Sequence, residues 1–352
     1  MAEGIRACYP EAEIDECPIA DGGEGTVDAL VRATAGDFRT ARVADPLGQA
    51  VDATWGLLGG QEIPTAVIEV AAASGLTRLT TEERNPMLTS SFGTGQLMIA
   101  AAAAGAKRIV LGLGGSATTD GGGGIALALG IRFFDTEGKE LESFTGADLG
   151  RVHRIDDAQR QLQEVEIVIC RDVDNPLTGP NGAAAIYGPQ KGATPEQVIQ
   201  LDQGLSQFAH LWLDQFGIDV RTQVGAGAAG GIGGGIVAML GAKTQSGIET
   251  ILDIVGFQKR AQGATLCLTG EGQLDIQSLT GKACMGVAQA AQAQGVKTIA
   301  IVGRLDLEND AALQELGMSV VELAPGTPIE DSMHNAAQLL RDRTTAVVLG
   351  TA

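Results

Sequence analysis

Aromatic residues are scarce in this sequence: two Trp, two Tyr and eight Phe, 3% of 352 residues. That scarcity argues against a stacking platform for bases. Histidine is rarer still, and His153, His210 and His334 stand far apart along the chain. So few imidazoles give little support to a zinc site or to a Ser–His or Cys–His hydrolase. The five cysteines, Cys8, Cys17, Cys170, Cys267 and Cys284, form no C-x-x-C pair and are odd in number. They read as reduced thiols in a cytosolic setting. Basic charge is deficient, with 24 Lys and Arg against 43 Asp and Glu, a net charge of −19. Such an acidic chain is a poor partner for nucleic acid or an anionic membrane surface. Long hydrophobic runs are missing too. The most apolar helical stretch, residues 97–104, falls far short of the roughly 20 residues that span a bilayer. The first residues are polar and carry no signal-peptide pattern. A cytoplasmic enzyme is expected, with monomer and homodimer both open.

Glycine is what the chain has in excess, 50 residues of it. The length is comfortable for two domains. Helix and strand patterns alternate throughout, which predicts an α/β fold. Residues 25–36 read as a helix with Thr26 as its N-cap. Strands are expected at 50–58, 65–71, 108–113 and 165–173, and helices at 91–106 and 194–216, the second with Pro195 in its first turn. Beyond residue 250 the pattern predicts strands in "ATLCLTG", "KTIAIVG" and "SVVELA". Helices are expected near 280–294 and 309–316, and from 329 onward. A middle segment flanked by α/β ends suggests one domain inserted in another, with residues 1–41 and 250–352 in the first and 42–249 in the second.

Four segments set glycines beside acids or hydroxyls where strands should end: "ADGGEGT" (20–26), "GLGGSATTDGG" (112–122), "RDVDNPLTGPNGAA" (171–184) and "TGEGQLDIQSLTGKA" (269–283). In open α/β sheets, ligands sit beyond the carboxyl ends of the strands. Glycine lets backbone N–H groups approach a phosphate, and nearby carboxylates can hold Mg²⁺ or accept a proton from an attacking hydroxyl. The combination points to phosphoryl transfer. Each loop taken alone is equally consistent with tight-turn chemistry, and Asp174 and Asn175 before Pro176 fit an Asx turn. The weight comes from four such loops in one chain.

Two motifs are discounted. "GAGAAG" (225–230) fits the dinucleotide fingerprint, but the polar "GIDVRTQV" before it makes a poor buried strand. "TGKA" lacks the P-loop pattern, because Ile276 stands where glycine is required and Ala283 replaces Ser or Thr. "GLGGSA" is also similar to the phosphate loop of galactokinase- and homoserine-kinase-like enzymes. There the loop opens directly onto a helix, whereas here Gly121 to Gly124 intervene.

Taken in order, "PIADGGEGTVDAL", "GTGQLMIAAAAAGAKRIVLGLGGSATTDGG", "DVDNPLTGPNGAAAIYGPQKGATPEQV", "GAGAAGGIGGG" and "TGEGQLDIQSLTGKA" resemble the signatures of bacterial glycerate kinases of the glycerate 2-kinase family. The similarity runs nearly from end to end. It implies a discontinuous Rossmann-like domain with an inserted second α/β domain and the active site in the cleft between them. It implies phosphorylation of D-glycerate with ATP and Mg²⁺, at the 2-hydroxyl, giving 2-phosphoglycerate. Another small hydroxy acid as substrate, or a non-catalytic remnant, remains an alternative. Members of that family usually begin with a strand, an "APDSFK"-like loop and a helix. The resemblance therefore implies that about two dozen residues are absent, with either a true start upstream or a shortened form of the protein, and a chain lacking that strand is expected to expose sheet edges, to be poorly stable and to be weakly active or inactive. Thr119 stands where Asn is common in the family, and Arg171 where a small residue or Cys is more usual.

Specific roles follow as expectations. Gly22, Gly23, Gly114, Gly115, Gly227 and Gly270 let the backbone approach ATP or substrate. Ser116 and Thr118 add hydrogen bonds, and Asp120 orients the loop or a metal-bound water. Asp172 is favoured to receive the hydroxyl proton, with Asp174 and Asp275 behind it and Asn175 alongside. Asp21, Glu24 and Glu271 are the Mg²⁺ candidates, and Lys282 balances phosphate charge.

Overall fold

A computed structural model describes residues 1–171, 173–275, 278, 283–307, 313 and 315–351. It divides into two compact units, one formed by Met1–Ile19 with Ile251–Ala352 and one by Ala20–Thr250. The smaller unit is thus discontinuous in sequence, starting with helix α1 (Ala2–Cys8).

In the larger unit, helix α2 (Thr26–Ala33) precedes strands β1 (Asp37–Ala44), β2 (Ala50–Leu57) and β3 (Thr65–Glu69). Helices α3 (Val70–Ser74) and α4 (Phe92–Ala103), strand β4 (Arg108–Gly112) and helix α5 (Gly123–Ala128) follow. Next come the hairpin β5 (Arg132–Phe134) and β6 (Arg154–Asp156), strand β7 (Glu166–Arg171), and helices α6 (Ala183–Tyr187), α7 (Pro195–Phe216) and α8 (Ile232–Leu240). Strand β8 (Lys243–Ser246) and helix α9 (Gly247–Ile254) close the series. One six-stranded sheet runs β1-β2-β3-β4-β7-β8. The pairs β1–β2 and β2–β3 are antiparallel; β3–β4, β4–β7 and β7–β8 are parallel.

The central strands β3, β4 and β7 are buried along most of their length. Helices cover both faces of such a sheet, which is why these strands appear in the sequence as unbroken apolar runs. Ile68, Ile109, Leu111 and Ile169 meet Leu97 and Met98 of α4, Ile125 of α5 and Ile232 and Ile236 of α8 in one core cluster. A second cluster lies under α7 and holds four of the few aromatics. There Phe144 stacks on Phe208 at 5.3 Å between ring centroids, with Phe133 and Trp212 beside them at 4.6 Å from Phe144 and Phe208 respectively. The inward face of α7 comes from Leu201, Leu205, Phe208, Ala209 and Trp212, a helical spacing. Both tryptophans, Trp55 and Trp212, are buried in this unit.

In the smaller unit, β9 (Leu266–Thr269), β11 (Lys297–Val302) and β13 (Met318–Glu322) form a parallel sheet in the order β13-β11-β9. β10 (Gln273–Leu274) pairs in parallel with β12 (Arg304–Leu305). Helices α10 (Phe257–Ala261) and α11 (Ala283–Gln292) accompany them, with two more at Ile329–His334 and Ala336–Val348. Helix α1 is tied to the last of these, where Thr345 Oγ1 donates to Gly4 O at 3.1 Å.

Several local expectations are corrected. Thr26 is the first residue of α2 and not its cap; Gly25 holds that position in the left-handed region, and Thr26 Oγ1 donates back to Gly23 O at 2.8 Å. The strand expected over 65–71 stops at Glu69, where α3 begins. The helix expected near 309–316 falls largely outside the described residues. All five cysteines are free thiols.

Candidate active site

The parallel register aligns the carboxyl ends of four strands. Glu69 on β3 stands opposite Gly112 on β4, Gly112 opposite Cys170 on β7, and Cys170 opposite Gln245 on β8. Across this row runs the 21–25 loop. A Cβ at Gly22 would stand 2.9 Å from Cys170 Cβ, and one at Gly112 would stand 2.7 Å from Gly22 O. Gly114 faces Gly23, Gly115 faces the Glu24 carboxylate, and Gly247 at the start of α9 is pressed against Asp21 O. Two of the glycine loops singled out in the sequence therefore touch at the end of the sheet. Asp21 accepts a bond from Gly23 N at 3.3 Å within that loop.

Glu69 belongs to this site and was not anticipated. Its Oε1 accepts Val27 N at 2.8 Å, one of the N–H groups at the start of α2 that have no partner within the helix. Burial raises its carboxyl above the usual range, and the Glu24 charge adds to the rise, while the amides of Val27, Gly25 and Thr26 oppose it. Glu24, Glu69, Ala71, Ala72, Thr77 and Arg78 line an open pocket of about 390 Å³. The sequence signal was available: a lone acid closing the apolar run "TAVIEVA".

The 113–122 loop is fixed from several sides. Leu76 N donates to Gly115 O at 2.8 Å, Ala117 N to Ser74 O at 2.9 Å, and Thr89 Oγ1 to Ala117 O at 3.0 Å. Asp120 is fully buried and accepts four bonds: from Ser91 N at 2.8 Å, Ser91 Oγ at 2.7 Å, Gly122 N at 3.1 Å and Gly124 N at 3.2 Å. Its carboxylate thereby joins the starts of α4 and α5. Burial raises its pKa, and these four bonds pull the other way. The hydroxyls of Thr118 and Thr119 are buried without a hydrogen-bond partner.

Beneath the same loop lies Lys191, 2% exposed, which sequence reasoning missed. Its Nζ donates to Ser116 Oγ at 3.0 Å and to Thr118 O at 2.6 Å. Burial lowers its pKa to about 7, against the opposing influence of Asp120. No pattern in "YGPQKGA" distinguishes a buried lysine from a solvated one.

The second glycine cluster is a wedge. Gly227 N donates to Asn175 O at 3.0 Å, and Gly121 N to Gly230 O at 3.1 Å. Side chains at Gly227 and Gly230 would collide with Pro176 O and Thr118 O. Asn175 donates to Asn181 O at 2.9 Å and accepts from Tyr187 Oη at 2.6 Å. Asp174 is exposed and ion-paired with Arg171. Asp172 lies outside the described residues.

In the smaller unit, Gly270 and Glu271 follow the carboxyl end of β9, and a side chain at Gly270 would collide with Ile301 O. Gly303 N donates to Glu271 O at 3.0 Å. Asp275 Oδ1 accepts Ser278 N at 3.1 Å, closing a turn. Lys282 lies outside the described residues.

Among the described residues, no group of three or more His, Cys, Asp or Glu side chains is placed to hold a metal ion. Mg²⁺ needs no such cage, because it keeps waters and binds through one or two carboxylates plus substrate phosphates. Glu24, on the open pocket and three residues after Asp21, meets that smaller requirement. Among the described residues no helix is long and apolar enough to cross a membrane.

Comparison with known proteins agrees with this chemistry. A family model described as the glycerate kinase family matches residues 1–350. A glycerate kinase of Bacillus subtilis (strain 168) is 43% identical over 343 residues, covering 97% of this chain and 89% of that protein. A glycerate 2-kinase of Escherichia coli (strain K12) is 43% identical over 307 residues, covering 87% and 81%. A crystal structure described as glycerate kinase 2 of Salmonella typhimurium LT2 matches with a TM-score of 0.86 at 39% identity, covering 99% of this chain and 91% of that one.

Proposed function

This chain belongs to the glycerate kinase family, and on that premise we propose that it transfers the γ-phosphoryl group of ATP to the 2-hydroxyl of D-glycerate, releasing ADP and 2-phosphoglycerate. The observation that carries the reading is the meeting of the 21–25 and 113–116 loops over the aligned strand ends Glu69, Gly112 and Cys170. Ligands of open α/β sheets bind at that edge. The backbone of Gly114 and Gly115 and the hydroxyl of Ser116 supply donors to an oxyanion, either the glycerate carboxylate or a phosphate. Asp21 and Glu24 would hold Mg²⁺, which would neutralise charge on the transferring phosphoryl group. Glu69, whose carboxyl burial keeps it above the usual range, closes the same pocket. In the smaller unit the backbone at Gly270 is a candidate to approach a nucleotide phosphate, with Glu271 a further Mg²⁺ candidate beside it in sequence. Asp172 accepts the proton of the attacking hydroxyl. The free state of all five thiols supports a cytoplasmic setting.

The test is ATP-dependent phosphorylation of D-glycerate with Mg²⁺, the product assigned by NMR. 2-Phosphoglycerate is expected. Formation of the 3-isomer alone would move the reaction to the other hydroxyl, and a preference for another hydroxy acid in a substrate panel would replace glycerate. Asp172→Asn is expected to lower kcat by about 10²-fold or more, and near-full activity would remove its assignment as base.

A further inference from the structure

We propose that Lys191 is a positioning residue for phosphoryl transfer, acting through Ser116: its ammonium commits the Ser116 hydroxyl proton to an oxyanion bound on the 114–116 turn. A lysine ammonium only donates, and the neutral amine that forms as pH rises through about 7 still has two N–H groups for its two partners, Ser116 Oγ and Thr118 O. With Nζ donating to Ser116 Oγ at 3.0 Å, that oxygen is engaged as an acceptor, and its own proton must go elsewhere. The internal acceptor within reach is Thr118 O, at 3.4 Å, the weak limit for a hydrogen bond. Lys191 takes that carbonyl at the much shorter 2.6 Å, which leaves Ser116 only its second lone pair at that long distance. An oxyanion at ordinary hydrogen-bond distance, beside the half-buried Gly114 and Gly115, is therefore the better acceptor for the Ser116 proton.

Two further features make this arrangement specific. The loop is held independently by Ser74, Leu76, Thr89 and Gly230, so Lys191 is not needed merely to anchor it. The amino group is also fully enclosed, so water does not compete for Ser116 on that side. The oxyanion is a carboxylate or phosphate oxygen, and the two sources separate by which Michaelis constant responds.

The inference rests on the reading of the 114–116 turn as an anion site, and a double-mutant cycle separates the two. Steady-state kcat and KM for D-glycerate and for MgATP would be measured in wild type, Ser116→Ala, Lys191→Met and the double variant, with circular dichroism confirming the fold. Ser116→Ala should raise one KM about tenfold, the worth of one charge-assisted hydrogen bond. A rise for glycerate identifies the carboxylate, and a rise for MgATP a phosphate. Lys191→Met should raise the same KM by a similar factor, and the double variant should be no worse than either single one. If Ser116→Ala leaves both constants unchanged, the anion reading of the turn fails. If Ser116→Ala behaves as expected but Lys191→Met has no effect, or the two losses multiply, the anion site stands and the role of Lys191 falls. Where Lys191→Met does not fold, Lys191→Gln takes its place in the cycle with the same expected non-additivity. Failure of both to fold would make Lys191 structural and overturn the proposal.

Discussion

Lys191 holds an ammonium where water does not reach, and that has a measurable consequence apart from catalysis. Its pKa falls from an ordinary 10.5 to about 7 on folding. Between those values the unfolded chain keeps a proton that the folded chain sheds, so stability rises with pH across the window. It is lost again as pH falls toward 7, with a slope of up to about 1.4 kcal/mol per pH unit. Urea unfolding of wild type and Lys191→Met from neutral to alkaline pH would show this as a steeper rise in the wild type; parallel curves would refute a buried, deprotonating lysine. Gly230 gives a second test at this scale. It has φ of +70°, and a side chain there would strike Thr118 O. Gly230→Ala should destabilise by about 2 kcal/mol or more, read as a lower urea midpoint. Such residues mark the limit of sequence reading. The glycines of 112–122 were visible as a loop, and Ser116, Thr118 and Asp120 were visible as its polar members. That Asp120 is spent on Ser91, Gly122 and Gly124, and that a lysine some seventy residues later sits beneath Ser116, depends on tertiary contacts with no local pattern.

Elements were legible where their own sequence settled the matter. Helix α7 carries its start signal in full: Thr194 Oγ1 accepts Gln197 N at 3.3 Å, Gln197 Oε1 accepts Thr194 N at 2.9 Å, and Pro195 takes the first turn. Thr194→Ala should cost about 1 kcal/mol. A loss much under half of that in chemical denaturation would show that core packing, not capping, sets the start of the helix. Strands β4 and β7 declared themselves as apolar runs because both faces are covered. β1 and β8 did not. The outer residues of β1 are exposed, and β8 is the polar stretch Lys243–Ser246. Both lie at sheet edges, and their strand state comes from pairing with β2 and β7. The end of β3 was missed for the same reason, since an apolar pattern continues through α3 while the backbone changes from strand to helix at Val70.

On the whole molecule the charge of −19 acts as diffuse self-repulsion, strongest where counterions are few. Raising monovalent salt from about 20 mM to about 300 mM shortens the screening length from roughly 20 Å to under 10 Å. The melting temperature should rise by a few degrees. A flat or falling curve would mean that paired charges, such as Glu166 with Arg108 and Lys243, outweigh the net excess. The α/β class was legible at this scale from the alternation of helix and strand patterns. The scarcity of aromatics also limits what an instrument can see of this molecule. Trp55 and Trp212 both lie inside Ala20–Thr250. Intrinsic tryptophan emission therefore reports on one unit only, and loosening of Ile251–Ala352 would pass without a direct change in that signal. A single smooth fluorescence transition would not demonstrate that the chain unfolds in one step.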